Sequence, residues 1–138
     1  MPPELTHVTN IYFNSENYIL TKHSISIMKK IEAFVRPERL SDVRKALAEN
    51  GHRSLINYDI WYRGTENETG QAHVSSRIND FMPKVKIELI VKDEAVRHIV
   101  DTICDAACTG HVGDGKIFIM PAEEAIRIQT RETGDAVF

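Results

Sequence analysis

The residues best placed to do chemistry fall in one stretch, Thr109-Gly110-His111-Val112-Gly113-Asp114-Gly115-Lys116. Three glycines lie within six residues, with Asp114 among them and Lys116 directly after. Glycine admits a positive φ and lets a backbone N–H approach a ligand with no Cβ in the way. Successive N–H groups in such a turn form a concavity suited to an anion, and an adjacent lysine supplies countercharge. The same residues also suit a tight turn entering a buried strand, because the apolar run Ile117-Phe118-Ile119-Met120 follows at once. Glycine content alone favours that plainer alternative. The loop is not a Walker A sequence, since its lysine is wrongly spaced and no Ser or Thr follows it.

Other constellations carry less. Cys104, Cys108 and His111, with Asp101 one turn earlier, have a spacing that could hold a metal. The plainer reading places Cys104 on an apolar helix stripe as a small buried hydrophobe, and His98 beside Asp101 on a solvated face. No nucleophile with a base, and no rigid carboxylate pair, is legible. Glu66 and Glu68 sit in a long polar segment, a poor platform for catalysis. The expectation is therefore a binding protein without enzymatic activity and without a resident metal.

A chain of 138 residues suits one domain. Apolar residues at 42% and charged residues at 27% match an ordinary globular protein. A net charge of −3 argues against a nucleic-acid partner, which would need a basic face. There is no apolar run of membrane-spanning length and no secretory pattern at the N-terminus, so the expected compartment is the cytoplasm. The two cysteines, four residues apart, imply no disulfide framework.

These groups need elements to position them. Residues 1–27 are set apart by Pro2, Pro3, Asn10, Asn14, Ser15 and Asn17, and are expected to form an extension, partly ordered or preceding a true start at Met28. From Lys30, alternation of Ile31, Ala33 and Val35 predicts a strand ended by Pro37. Leu40, Val43, Ala46 and Leu47 then fall at helical spacing, with Gly51 as the stop. Ser54 to Tyr62 predicts a second strand. Arg63 to Asp80 loses all periodicity, and a loop of that length is usually functional or disordered. Val85, Ile87, Leu89 and Val91 predict a third strand. Asp93 is placed as an N-cap, and Val96, Ile99, Val100, Ile103, Cys104 and Ala107 form the stripe of a second helix. Lys116 to Met120 predicts the last strand, broken by Pro121, and Ala125 to Ile128 is a short apolar piece ahead of a polar tail. The order β-α-β-loop-β-α-β predicts an α+β, ferredoxin-like βαβ-βαβ fold with both helices on one face of an antiparallel sheet. Phe34, Trp61, Tyr62 and Phe118 are candidates for the other face, which must be covered by the extension or by further copies of the chain.

From Met28 onward the chain resembles the PII signal-transduction family. The most specific match is Thr109 to Phe118, which resembles that family's B-loop. Met28-Lys29-Lys30-Ile31, Arg36-Pro37, Leu40 to Gly51, Phe81 to Glu88 and Ile126-Arg127-Ile128 support it. The resemblance implies a PII-like domain over residues 28–138, with a T-loop at about 63–82, the B-loop at 109–116 and a C-terminal segment at 122–138. It implies a compact homotrimer that binds ATP or ADP, and AMP as a further candidate, in clefts between subunits, with magnesium left open. Gly113, Asp114, Gly115, Lys116 and Arg127 would hold the phosphates, and the backbone around Glu88 and Ile90 would meet the adenine. The T-loop would dock on a target protein, a membrane transporter or a metabolic enzyme, and report energy with nitrogen or carbon status. Recruitment to such a transporter would be peripheral.

The departures shape the expectation further. The family's Arg-x-Arg is here Arg127-Ile128-Gln129, leaving Arg63 or Arg131 as substitutes. The T-loop tyrosine modified in some members falls at Arg77, while Ser75 falls near a serine phosphorylated in others. Lys84 matches the lysine that meets 2-oxoglutarate, but Thr65 or Glu66 stands where a glutamine completes that site. The expected second effector is therefore bicarbonate or another small anion. A trimer of the same fold that binds a metal, of the divalent-cation-tolerance type, is the alternative.

Overall fold

The computed structural model describes residues 27–63 and 81–138. The elements follow one another as β1 (Met28–Val35), α1 (Leu40–Glu49), β2 (Ile56–Tyr62), β3 (Met82–Lys92), α2 (Val96–Ala107) and β4 (Gly115–Ala122). The strands form one antiparallel sheet in the order β2-β3-β1-β4. Alternation decides which side is apolar. Ile31, Ala33 and Val35 of β1, with Val85, Ile87, Leu89 and Val91 of β3, face inward against Val43 and Leu47 of α1 and Ile99 and Ile103 of α2. Both helices thus cover one face, as the βαβ-βαβ order predicts.

α1 stops where Gly51 takes a φ of +86°. The Gly51 and His52 N–H groups turn back to donate to the Ala48 and Leu47 carbonyls, at 3.1 and 2.8 Å. That paired closure uses helix-end carbonyls that would otherwise lack donors.

Four expectations need correction. Asp93 does not cap α2: it opens a 3₁₀ turn, Asp93–Ala95, and makes no side-chain cap bond. Its N–H donates to the Ile27 carbonyl and its carboxylate lies 3.7 Å from Lys29, so it serves the strand end instead. Pro121 does not break β4, which continues to Ala122 with Pro121 opposite Lys29. An edge strand admits proline because half its N–H groups face away from the sheet. Cys104 is exposed and not part of the buried stripe. Trp61 belongs to the opposite face from Tyr62, because it pairs with Pro83 while Tyr62 pairs with Met82.

The open face carries the other three aromatics. The Phe34 ring lies 5.9 Å from Tyr62 and 5.7 Å, edge-on, from Phe118. Beside them sits a charged quartet. Glu32 and Glu88 are directly opposite in the β1–β3 ladder, a repulsive arrangement on its own. Lys30 resolves it at 2.7 Å from Glu32 and 3.3 Å from Glu88, and Lys86 at 3.8 and 2.6 Å from the same two carboxylates.

Candidate functional site

The glycine loop leaves α2 at Cys108 and enters β4 at Gly115, opposite Val35 at the end of β1. Its backbone needs positive φ at Gly110, Gly113 and Gly115, with values of +81°, +98° and +112°. Gly115 is the most constrained, because a Cβ there would lie 1.6 Å from the Phe34 carbonyl oxygen.

Asp114 organises the turn from inside. Its carboxylate accepts from the Thr109 N–H at 2.7 Å, the Gly110 N–H at 3.0 Å and Arg36 Nε at 3.0 Å, and also from the Thr109 hydroxyl. Burial alone would raise its pKa. The Thr109 donors, then Arg36 and Gly110, outweigh burial and hold the carboxyl well below the usual carboxylate range. Asp114 is therefore ionised at neutral pH and faces into the loop.

Two cations hold the loop's carbonyls. Arg36 Nη2 donates to the Val112 carbonyl at 2.7 Å, and Lys84, 2% exposed, donates through Nζ to the Gly113 carbonyl. No peptide in the described residues is cis. Across a planar trans peptide, C=O and N–H point in opposite directions. The Gly113 and Asp114 N–H groups accordingly point away from Arg36 and Lys84, and neither has an acceptor among the described residues. The Lys116 side chain, at the loop exit, is exposed and makes no hydrogen bond or ion pair among the described residues. Two successive backbone donors without acceptors, two and three residues before a lysine whose ammonium has no partner among the described residues, are a combination that can bind an anion.

The other expected site residues lie elsewhere. Ile90 is on the open face, 42% exposed. Glu88 is flanked by Glu32 and Ile56, and β2 begins there, so β3 beyond Glu88 has no β2 partner. The Glu88 carboxyl is held low by its hydrogen bond from Lys86, with Lys30 adding to it. Arg127 stands beyond the far end of β4. None of its side-chain partners among the described residues belongs to the glycine loop. Arg127 ties down the tail, donating to the Ala136 and Val137 carbonyls at 3.0 and 3.1 Å, with Glu132 at 3.7 Å. Arg131 has a φ of +60° and donates its N–H back to the Arg127 carbonyl. The Arg63 guanidinium lies 5.7 Å from the Phe81 ring centre, at the base of the T-loop segment. Ser75, Thr65, Glu66 and Arg77 lie outside the described residues.

Cys104, Cys108 and His111 do not converge: the described residues contain no group of three or more His, Cys, Asp or Glu side chains able to hold a metal. Partial burial, with Asp101 and Asp105 nearby, pushes the Cys104 thiol up. Sequence reasoning placed Thr109 in the loop but missed that it donates to Asp114, and missed Arg36 and Arg39 as partners of the loop. Arg39 donates to the Cys108 carbonyl at 3.3 Å. The one available signal was that Arg36 follows the strand residue that pairs with the loop exit.

With this geometry in place, comparison with known proteins is specific. The family model described as nitrogen regulatory protein P-II matches residues 28–132. The chain belongs to that family. It is 44% identical over 114 residues to nitrogen regulatory protein P-II of Bradyrhizobium diazoefficiens, covering 80% of this chain and all of that protein. It is 43% identical over 112 residues to nitrogen regulatory protein P-II 1 of Escherichia coli, covering 79% and 98%. The structure of Arabidopsis thaliana PII bound to citrate superposes with a TM-score of 0.67 at 37% identity, over 80% of this chain and 92% of that one. The match begins at Met28, where β1 begins, so the P-II unit and the sheet start together. No helix among the described residues is long and apolar enough to cross a membrane.

Proposed function

We propose that this P-II chain is a non-enzymatic regulatory subunit that binds adenine nucleotides at the glycine loop and reports cellular energy with nitrogen or carbon status to a target protein. The observation that carries this reading is the pair of N–H groups at Gly113 and Asp114, left without acceptors among the described residues while Arg36 and Lys84 hold the carbonyls of the same peptides, with Lys116 close behind in the chain. Gly113, Gly115 and Lys116 would serve the phosphates directly. Asp114, an inward-facing carboxylate, would serve through its N–H and by holding the turn. The adenine would lie against β3 near Glu88 and Ile90, at and beyond the point where β2 begins.

In this reading the subunits form a homotrimer through the open sheet face, and Arg127 reaches the phosphates of a neighbouring copy. The aromatic cluster of Phe34, Tyr62 and Phe118 supports burial of that face. The segment at about 63–82 docks on the target, a metabolic enzyme or a membrane transporter to which the protein is recruited from the cytoplasm. The second effector is bicarbonate or another small anion. Lys84 supports this, because a 2-oxoglutarate carboxylate would have to displace the Gly113 carbonyl from a buried ammonium.

Calorimetry tests the nucleotide site. ATP and ADP are expected to bind in the micromolar range, with binding abolished in Lys116→Ala and weakened in Arg127→Ala. Absence of heat with ATP, ADP and AMP, from protein shown to be folded, would overturn the proposal. Sedimentation velocity on the same samples tests the trimer.

A further inference from the structure

A groove between α1 and the start of β2 lies apart from everything above. It encloses about 500 Å³. Ser41, Arg44 and Lys45 line it from one face of α1, and His52, Arg53 and Leu55 line it from the turn beyond. None of its lining residues is acidic, in a chain whose net charge is −3. Lys45 has Glu49 at 3.9 Å, an exposed helix pair worth little. The guanidinium groups of Arg44 and Arg53 make no ion pair or hydrogen bond among the described residues. Two uncommitted guanidiniums in one concavity repel each other unless an anion joins them.

The groove is also built on a fixed frame. The helix closure at Gly51 sets where His52 and Arg53 leave α1. Asn50 is tied to α2 by a 2.9 Å hydrogen bond with His98 Nε2, and the His52 ring lies 6.5 Å from the His98 ring. Leu55, half-buried, and Ala48 supply apolar floor beside the cations. A ligand that matches has at least two negative charges, flat oxygen pairs for guanidinium and some carbon framework. The volume suits a small molecule and not a polymer.

We propose that this groove is a second anion site, independent of the glycine loop, for a metabolite-sized polyanion carrying phosphoryl or carboxylate groups. The groove's lining includes none of the residues assigned to the nucleotide, although its Leu55 and Asn57 flank Ile56, which pairs with Glu88. Occupancy would bear on β2, the strand that leads into the segment at 63–82.

The test uses the full chain carrying Lys116→Ala, which removes the proposed phosphate loop. Pyrophosphate and tricarballylate are titrated separately at low ionic strength. At least one is expected to bind once per chain, pyrophosphate alone indicating a phosphoryl ligand and tricarballylate alone a carboxylate one. Adding Arg44→Gln and Arg53→Gln should weaken binding at least tenfold. In a chain that keeps Lys116, the same two substitutions should leave ATP affinity unchanged, which separates this site from the nucleotide reading. Should the double variant fail to fold by circular dichroism, Arg53→Gln alone gives the same readout. Failure of both anions to bind, or equal binding after the arginines are replaced, overturns the proposal.

Discussion

Replacing Asp114 with alanine removes one carboxylate and leaves four donors without their acceptor: the Thr109 and Gly110 N–H groups, the Thr109 hydroxyl and Arg36. A hydrogen bond to a charged group is worth about 1.5–3 kcal/mol when desolvated. The Asp114 side chain keeps 24% of its surface exposed, so water can recover a good part of this. A net cost of roughly 3 kcal/mol for closing the loop is a fair figure after that discount. If the closed loop is the form that binds nucleotide, affinity falls by up to about 100-fold. A competing effect has the opposite sign, because deleting a negative charge near a polyphosphate should tighten binding. The Arg36 guanidinium, at 3.0 Å and set free by the substitution, adds to that gain, but both groups are partly exposed and solvent screens it, so the cost of the open loop is expected to dominate. Calorimetry with ATP on Asp114→Ala, with thermal unfolding to verify folding, should therefore show at least a tenfold loss. Unchanged or tighter binding by a folded variant would refute the claim that Asp114 acts by organising the loop.

The glycines offer a graded comparison. Gly115→Ala would place a Cβ against the Phe34 carbonyl and should cost more than about 3 kcal/mol in denaturant unfolding, or prevent folding. Gly110→Ala meets nothing within 4 Å and should cost only the left-handed backbone strain, about 1–2 kcal/mol. The pH response follows from the quartet on the open face. Glu88 has a lowered pKa when folded, so its contribution is present above the ordinary value of 4.5 and is lost as pH falls through the lowered one. Lys30 and Lys86 are raised, chiefly by their bonds to Glu32 and Glu88, so their contribution is complete below 10.5 and is lost as pH rises through the raised values. The quartet's own contribution to melting temperature should be flat between these limits, and Glu88→Gln should shrink the acid-side fall.

Alternation and helical spacing were enough to place β1, β3 and both helices, because each buries one face against a single core, whereas β2 and β4, which have no fully buried residue, were legible from their runs of β-branched and aromatic residues. Gly51 was legible as a stop for the same local reason. What escaped depended on neighbours distant in sequence. Pro121 reads as a breaker until β4 is known to be an edge. Trp61 and Tyr62 are both large and aromatic, and only the ladder with β3 shows that they face opposite ways. Asp93 has the right chemistry for a cap, but a 3₁₀ turn intervenes before α2 begins. In the candidate site, the glycines and Lys116 stood out by type and spacing. Arg36 did not, since it lies 78 positions from Asp114 and nothing local links them.

The separation of Lys116 from Arg127 leads to a sharper test. Lys116 lies at the start of β4, whose remaining six steps to Ala122 span about 20 Å, and Arg127 follows five residues later. Within its own chain Arg127 is committed to the tail carbonyls of Ala136 and Val137. A nucleotide that touches both cations is therefore expected to draw them from different copies, as a closed ring of identical subunits would allow. Lys116→Ala and Arg127→Ala chains are each expected to bind ATP poorly alone. Co-expressed, they assort into mixed rings in which about a quarter of the sites pair an intact Lys116 with an intact Arg127 from the neighbour. That fraction should regain the affinity of the unaltered protein, and calorimetry reads it directly as a tight-binding stoichiometry. If both residues acted within one chain, every site would lack one of them and co-expression would restore nothing. The absence of a tight class in rings confirmed as mixed by mass spectrometry would refute the shared site, while leaving the glycine loop's own contribution to be judged by Lys116→Ala alone.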